Sequence, residues 1–103
     1  MADNRRQTRH DVSIPTKLII NGTSNDCTIL NVSLGGALIS APAKYAMGQR
    51  MEIVFHVPKV NHEISVGVTV RWSATDGVGI QFDGLRARDV WALNEFFKQL
   101  PSS

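Results

Sequence analysis

A single cysteine, Cys27, in a chain of 103 residues leaves no partner for an internal disulfide and no thiolate cluster for a metal. Such a lone thiol on a strand reads as a small buried hydrophobe. No apolar run approaches the roughly 18 residues that a membrane-crossing helix needs, so no membrane span is expected. The first ten residues, MADNRRQTRH, are charged and lead into no apolar segment. They do not read as a secretory signal, and the expected compartment is the cytoplasm. Catalytic patterns are missing as well. Ser33 stands in NVSLGG, but Asn31 occupies the position where a nucleophile elbow requires glycine, and a strand rather than a helix follows. His10, His56 and His62 have neither the i, i+4 spacing of a helical zinc pair nor a cysteine partner. The segment GVGIQF (77–82) lacks the third glycine of a dinucleotide loop and runs into a strand. Neither enzyme activity, a bound metal nor a cofactor is expected.

What is present is a body with 43% hydrophobic and 19% charged residues, the balance of a globular domain with one core. The formal net charge is only +2, and all of it sits in the first ten residues, where Arg5, Arg6 and Arg9 face Asp3 alone. A neutral body with a basic arm suits an anionic ligand, although a solvated tail has the same composition. Residues 1–11 are therefore expected to form a flexible basic arm, and 12–100 the folded body.

Period-2 alternation organises that body. Val12, Ile14, Thr16, Leu18 and Ile20 share one face of a first strand. Asn21-Gly22 is a strong hairpin signal, and Cys27 and Ile29 mark a second strand ending at Asn31. Gly35-Gly36 breaks the pattern before a short strand through Ala37 and Ile39, and Pro42 opens a loop over 41–49. Met51, Ile53, Phe55 and Val57 alternate next, followed by Val66, Val68, Val70 and Trp72, and finally by Val78, Ile80 and Phe82 between Asp-Gly turns. From about Leu85 the period becomes helical, with Val90, Leu93, Phe97 and Leu100 on one face and Pro101 as the stop. Six short strands leave open edges unless the sheet closes. The expected fold is all-β: a six-stranded antiparallel barrel with a C-terminal α-helix.

Two segments carry binding chemistry. Arg5 and Arg9 leave an extended arm on the same side with Cα atoms roughly 13 Å apart, while Arg6 points the other way unless the arm bends. Guanidinium groups donate paired hydrogen bonds to phosphate oxygens or to O6 and N7 of guanine, and they stack on bases. In Asn31-Val32-Ser33-Leu34-Gly35-Gly36, two short polar side chains are followed by a backbone open to close approach by a flat ligand. Asn31 can accept from the N1 and N2 hydrogens of guanine and Ser33 can donate to a phosphate or base oxygen. A plain glycine turn between two strands would look the same.

Taken together, RRQTRH (5–10) and NVSLGG (31–36) resemble the RxxxR and (D/N)xSxxG signature of PilZ domains. VRW at 70–72, GVGIQF before a final helix, and a length near that of one such domain extend the resemblance over almost the whole chain. It implies a stand-alone, single-domain receptor for the bacterial second messenger cyclic di-GMP, built as a six-stranded barrel. By resemblance, Arg5 and Arg9 correspond to the motif arginines, Arg6 to an extra arginine found in many members, Asn31 and Ser33 to the polar pair, and Gly36 to the glycine. Asn31 in place of Asp removes a formal charge near guanine. The implied role is a non-enzymatic effector that changes conformation with its ligand and signals to a downstream protein partner. Two alternatives stay open: a small barrel binding single-stranded nucleic acid, disfavoured because most of the seven aromatics fall on expected core faces, and a PilZ-like scaffold without ligand binding.

Overall fold

The computed structural model describes residues 9–41 and 45–100. Arg5, Arg6, part of the expected 41–49 loop, and Pro101 lie outside the described residues. Six strands, β1 (His10–Ile20), β2 (Thr23–Val32), β3 (Gly36–Ser40), β4 (Arg50–Val57), β5 (His62–Ala74) and β6 (Gly77–Phe82), precede one helix, α1 (Ala87–Lys98). Every pairing is antiparallel, and the order β1-β2-β3-β6-β5-β4 closes on itself as a barrel. Closure removes the edges that six short strands would otherwise expose. The first strand begins at His10, two residues ahead of the alternation that announces it.

Local chemistry accounts for the connections. Asn21 and Gly22 both have positive φ, +50° and +82°, the backbone of a tight two-residue hairpin, and Ile20 pairs directly with Thr23 across it. Inward positions follow the period-2 reading: Ile14, Thr16 and Leu18 from β1, Ile53 and Phe55 from β4, Ile64, Val66, Val68 and Val70 from β5 are all buried. Thr16 belongs among them because its hydroxyl donates to the Val54 carbonyl at 2.9 Å, so no polar atom is stranded.

Two expectations need correction. The helix was expected to bury Val90, Leu93, Phe97 and Leu100, whereas its buried residues are Asp89, Ala92, Leu93 and Phe96, with Phe97 and Leu100 only packed against the margin of the core. An i, i+3, i+4, i+7 stripe is present, but its first member is a carboxylate. Asp89 earns that place through two hydrogen bonds, one from the Arg86 N–H at 3.1 Å and one with His62 Nε2 at 2.8 Å. The second correction is Trp72. Alternation puts it inside with Val66, Val68 and Val70, yet it is 45% exposed. The β5–β6 register slips between Val70 and Trp72, and a one-residue slip turns a side chain to the opposite face.

Candidate ligand site beside the β2–β3 turn

The same kind of irregularity shapes the β2 end. Cys27 and Ile29 point inward, and strict alternation would send Asn31 after them. The β2–β3 register slips between Ile29 and Asn31, so Val32 is buried instead and Asn31 is half-exposed. Its amide oxygen accepts a hydrogen bond from the Arg9 guanidinium at 2.9 Å, across 22 residues of sequence. The last arginine of the basic segment is thereby joined to the first residue of NVSLGG.

Ser33 does not share Asn31's environment. It is 3% exposed and locks the connection between β2 and β3. Its N–H donates to the Gly36 carbonyl at 2.8 Å, while its hydroxyl accepts from the Gly35 and Gly36 N–H groups at 3.1 and 3.3 Å. Among the described residues its own proton is offered to the Gly36 carbonyl at 3.4 Å, too long for a strong bond. Gly36 is required by packing. A Cβ there would lie 2.2 Å from the Ile80 carbonyl oxygen of β6, so β3 can approach β6 only without a side chain. The Gly35 carbonyl accepts from the Phe82 N–H at 2.9 Å and ties the turn to the end of β6.

These residues border a recess of about 540 Å³ lined by Arg9, Ser33, Gly35, Gly36, Arg71, Trp72, Ile80, Gln81 and Phe82. Arg71 and Trp72 were not singled out as site residues from the sequence. The Trp72 indole lies across Gly79, its ladder partner on β6: a Cβ on Gly79 would come within 2.3 Å of Nε1. One aromatic face is thus packed on bare backbone and the side chain remains half-exposed. The signal available in the sequence was Gly79 itself, since glycine inside a strand often marks a close approach. Arg71 hydrogen-bonds Gln81 on β6. Two guanidinium groups therefore border the recess, each held by an amide oxygen, and no carboxylate lines it among the described residues.

The remaining polar features are arranged differently. A larger groove of about 740 Å³ lies over β1, β2 and β4, but it contains none of the residues assigned to ligand binding from the sequence, and its Lys17 and Asp26 are paired with each other. Cys27 lies along it. Burial, with the Asp26 carboxylate adding, pushes its thiol up to about 11, so at neutral pH it stays protonated and is a poor nucleophile. The three histidines are separated in role: His10 stacks on Phe97, His62 binds Asp89, and His56 is exposed on β4. Among the described residues no group of three or more His, Cys, Asp or Glu is placed to hold a metal, and no helix is long and apolar enough to cross a membrane.

The fold and the recess define a small closed barrel that offers cations and an aromatic ring beside a tight glycine turn. The sequence matches the PilZ domain over residues 3–99, and the chain belongs to that family. No curated protein matches it significantly. Its barrel is similar to that of the Bacillus subtilis inhibitor of motility MotI/DgrA (TM-score 0.73, 12% identity, 94% of this chain and 53% of the other). It is also similar to the PilZ domain of CeSA from a cellulose-synthesizing bacterium (TM-score 0.67, 14% identity, 88% and 96%). A third likeness is to the Borreliella burgdorferi PlzA protein, solved in complex with c-di-GMP (TM-score 0.63, 20% identity, 87% and 39%). The chain spans about half of MotI/DgrA and about two fifths of PlzA. At these identities the likeness concerns the fold.

Proposed function

We propose that this PilZ domain is a cyclic di-GMP receptor whose ligand lies in the recess beside the β2–β3 turn. The observation that carries the reading is the pair of guanidinium groups, Arg9 and Arg71, held by neutral amide oxygens around an exposed indole. An amide oxygen orients a guanidinium without cancelling its charge, which leaves both cations suited to a ligand with two phosphates. The guanines offer flat faces to Trp72 and Hoogsteen edges to arginine. Asn31, already held at its oxygen by Arg9, presents its remaining amide atoms to a base edge. The weakly held Ser33 proton can turn to a ligand oxygen while the hydroxyl still accepts from the turn. Gly36 serves by keeping that turn against β6.

Arg5 and Arg6 are assigned to the same ligand as the outer part of the arm, on the resemblance of RRQTRH to the family motif. Closure of the arm over the ligand would change the surface presented to a downstream protein, and the role is recognition without turnover in the bacterial cytoplasm. Calorimetric titration with cyclic di-GMP tests this reading, beside GMP and a short single-stranded oligonucleotide. Saturable binding of the cyclic dinucleotide, lost in Arg9→Ala, is the expected result. Preference for the oligonucleotide would move the assignment to single-stranded nucleic acid, and binding of neither would leave the barrel as a scaffold.

A further inference from the structure

Arg9 and His10 are consecutive, yet their side chains reach different parts of the fold. Arg9 bonds Asn31 at the end of β2. His10 lays its imidazole on the ring of Phe97 in the last turn of α1, with centroids 4.1 Å apart and planes 22° from parallel. Phe97 is itself backed by Phe96, whose ring is 6.0 Å away and which is 4% exposed within the core. His10 is also the first residue of β1, opposite Val32, and the next pair in the ladder is Asp11 with Asn31. The basic segment therefore enters the barrel at a point held by the ladder on one side and by a ring stack on the other.

We propose that His10 is a positioning residue for the ligand site: its stack on Phe97 fixes the direction in which the basic segment leaves β1, and so holds Arg9 at Asn31. In extended backbone, neighbouring side chains point to opposite sides, so pinning His10 to the helix directs Arg9 toward the recess. A terminal ladder pair alone is a weak anchor, because strand ends fray at little free-energy cost. An offset aromatic stack adds an attachment with few rotatable bonds. Holding Arg9 in place before the ligand arrives lowers the ordering cost of binding.

The affinity part of this inference rests on the cyclic di-GMP reading, and the pinning part does not, so both are measured on one set of variants: His10→Ala, His10→Phe and Phe97→Leu. Without ligand, nitrogen-15 relaxation should show the amides of Arg9, His10 and Asp11 loosened in His10→Ala and in Phe97→Leu, and unchanged in His10→Phe, which keeps a ring to stack. With cyclic di-GMP, His10→Ala should weaken binding by about five- to tenfold through lost preorganisation, while His10→Phe stays within about twofold of the parent. Phe97→Leu should reproduce the alanine effect, and adding it to His10→Ala should change little more, as for two partners in one contact. Unchanged amide relaxation in His10→Ala overturns the pinning. An intact affinity in that variant, or a loss in His10→Phe equal to that in His10→Ala, overturns the positioning role of the stack. A parent protein that binds no cyclic di-GMP sinks the ligand reading by itself, and the relaxation data still decide whether the stack holds Arg9.

Discussion

Among the described residues, the Lys and Arg side chains that have a side-chain partner are held in two ways. Away from the recess they face carboxylates: Lys17 pairs with Asp26, Arg50 with Asp83 at 3.5 Å, and Lys98 with Glu95 at 3.1 Å. At the recess, Arg9 and Arg71 face the amide oxygens of Asn31 and Gln81. A carboxylate partner neutralises a cation as well as orienting it, whereas an amide only orients it. Where the chain has amides it keeps positive charge in place, and that is what an anionic ligand can use. A surface whose formal balance is nearly neutral can therefore carry one concentrated cationic site without any excess of basic residues in its body.

The largest expected effect tests the amide-held group. Arg9→Ala removes a charge-assisted set worth roughly 1.5–3 kcal/mol, so affinity for cyclic di-GMP should fall by about ten- to a hundredfold. Thermal unfolding without ligand should be nearly unchanged, because Arg9 is exposed and its bond among the described residues is to a half-exposed amide. The loss should be greatest at low ionic strength and shrink as salt rises. Equal affinity in parent and variant at low salt would remove Arg9 from the site.

Next in size is Trp72→Ala. Stacking of a base on an aromatic side chain is worth roughly 1–3 kcal/mol, so about a tenfold loss is expected, with weak salt dependence because no charge is removed. Trp91, 56% exposed on α1 and outside the lining of the recess, supplies the contrast. Trp91→Ala should leave affinity within about twofold, since it takes no stacking surface from the ligand. Similar losses in the two tryptophan variants would mean that exposure alone, rather than place, decides their contribution.

How much of this was legible in the sequence differs between the wall of the barrel and its irregular points. Alternation gave the six strands, Asn21-Gly22 gave the first hairpin, and the change of period after Leu85 gave the helix, because each is set by local backbone preference or by a face of constant hydropathy. Trp72 is put on the wrong face by the same alternation. It lies just past a register slip, and a slip depends on pairing with a neighbouring strand, which periodicity within one strand does not contain. The helix stripe is not legible because its first buried member, Asp89, is charged, and its burial depends on hydrogen bonds from the Arg86 N–H and with His62 on another element. Arg71, although part of the VRW segment, is not legible as a site residue because a lone arginine on a strand resembles any solvated cation until Gln81 and Trp72 are seen beside it.

Gly36→Ala probes the β2–β3 turn that lines the recess with the two arginines and should act on folding before it acts on binding. The added methyl meets the Ile80 carbonyl oxygen at 2.2 Å, and relieving such overpacking typically costs about 1–3 kcal/mol. A lower midpoint of thermal unfolding is expected, together with affinity close to that of the parent at temperatures where the variant is fully folded. A fully stable variant that has lost ligand would instead show the methyl obstructing the ligand directly, and Gly36 would then count as a contact rather than as a spacer between β3 and β6.

The smallest effect is expected at Arg50, the guanidinium with a carboxylate partner. It sits at the start of β4, with a side chain 77% exposed and 3.5 Å from Asp83, whose other oxygen accepts from the Thr69 hydroxyl at 2.7 Å. Exposed pairs of this kind contribute roughly 0–1 kcal/mol, so Arg50→Ala should change stability only slightly. Affinity for cyclic di-GMP should stay within about twofold, because Asp83 already offsets the Arg50 charge and long-range attraction is screened beyond roughly 10 Å at ordinary salt. The informative partner is Asp83→Asn, which leaves Arg50 beside an amide, as Arg9 is beside Asn31. If an amide-held guanidinium anywhere on the barrel were enough to raise affinity, Asp83→Asn would tighten binding and steepen its salt dependence. No change in either is expected, since Arg50 lies outside the lining of the recess and has neither the glycine turn nor the indole beside it. A tighter complex in Asp83→Asn would show that net positive charge, rather than the placement of Arg9 and Arg71, governs recognition by this barrel.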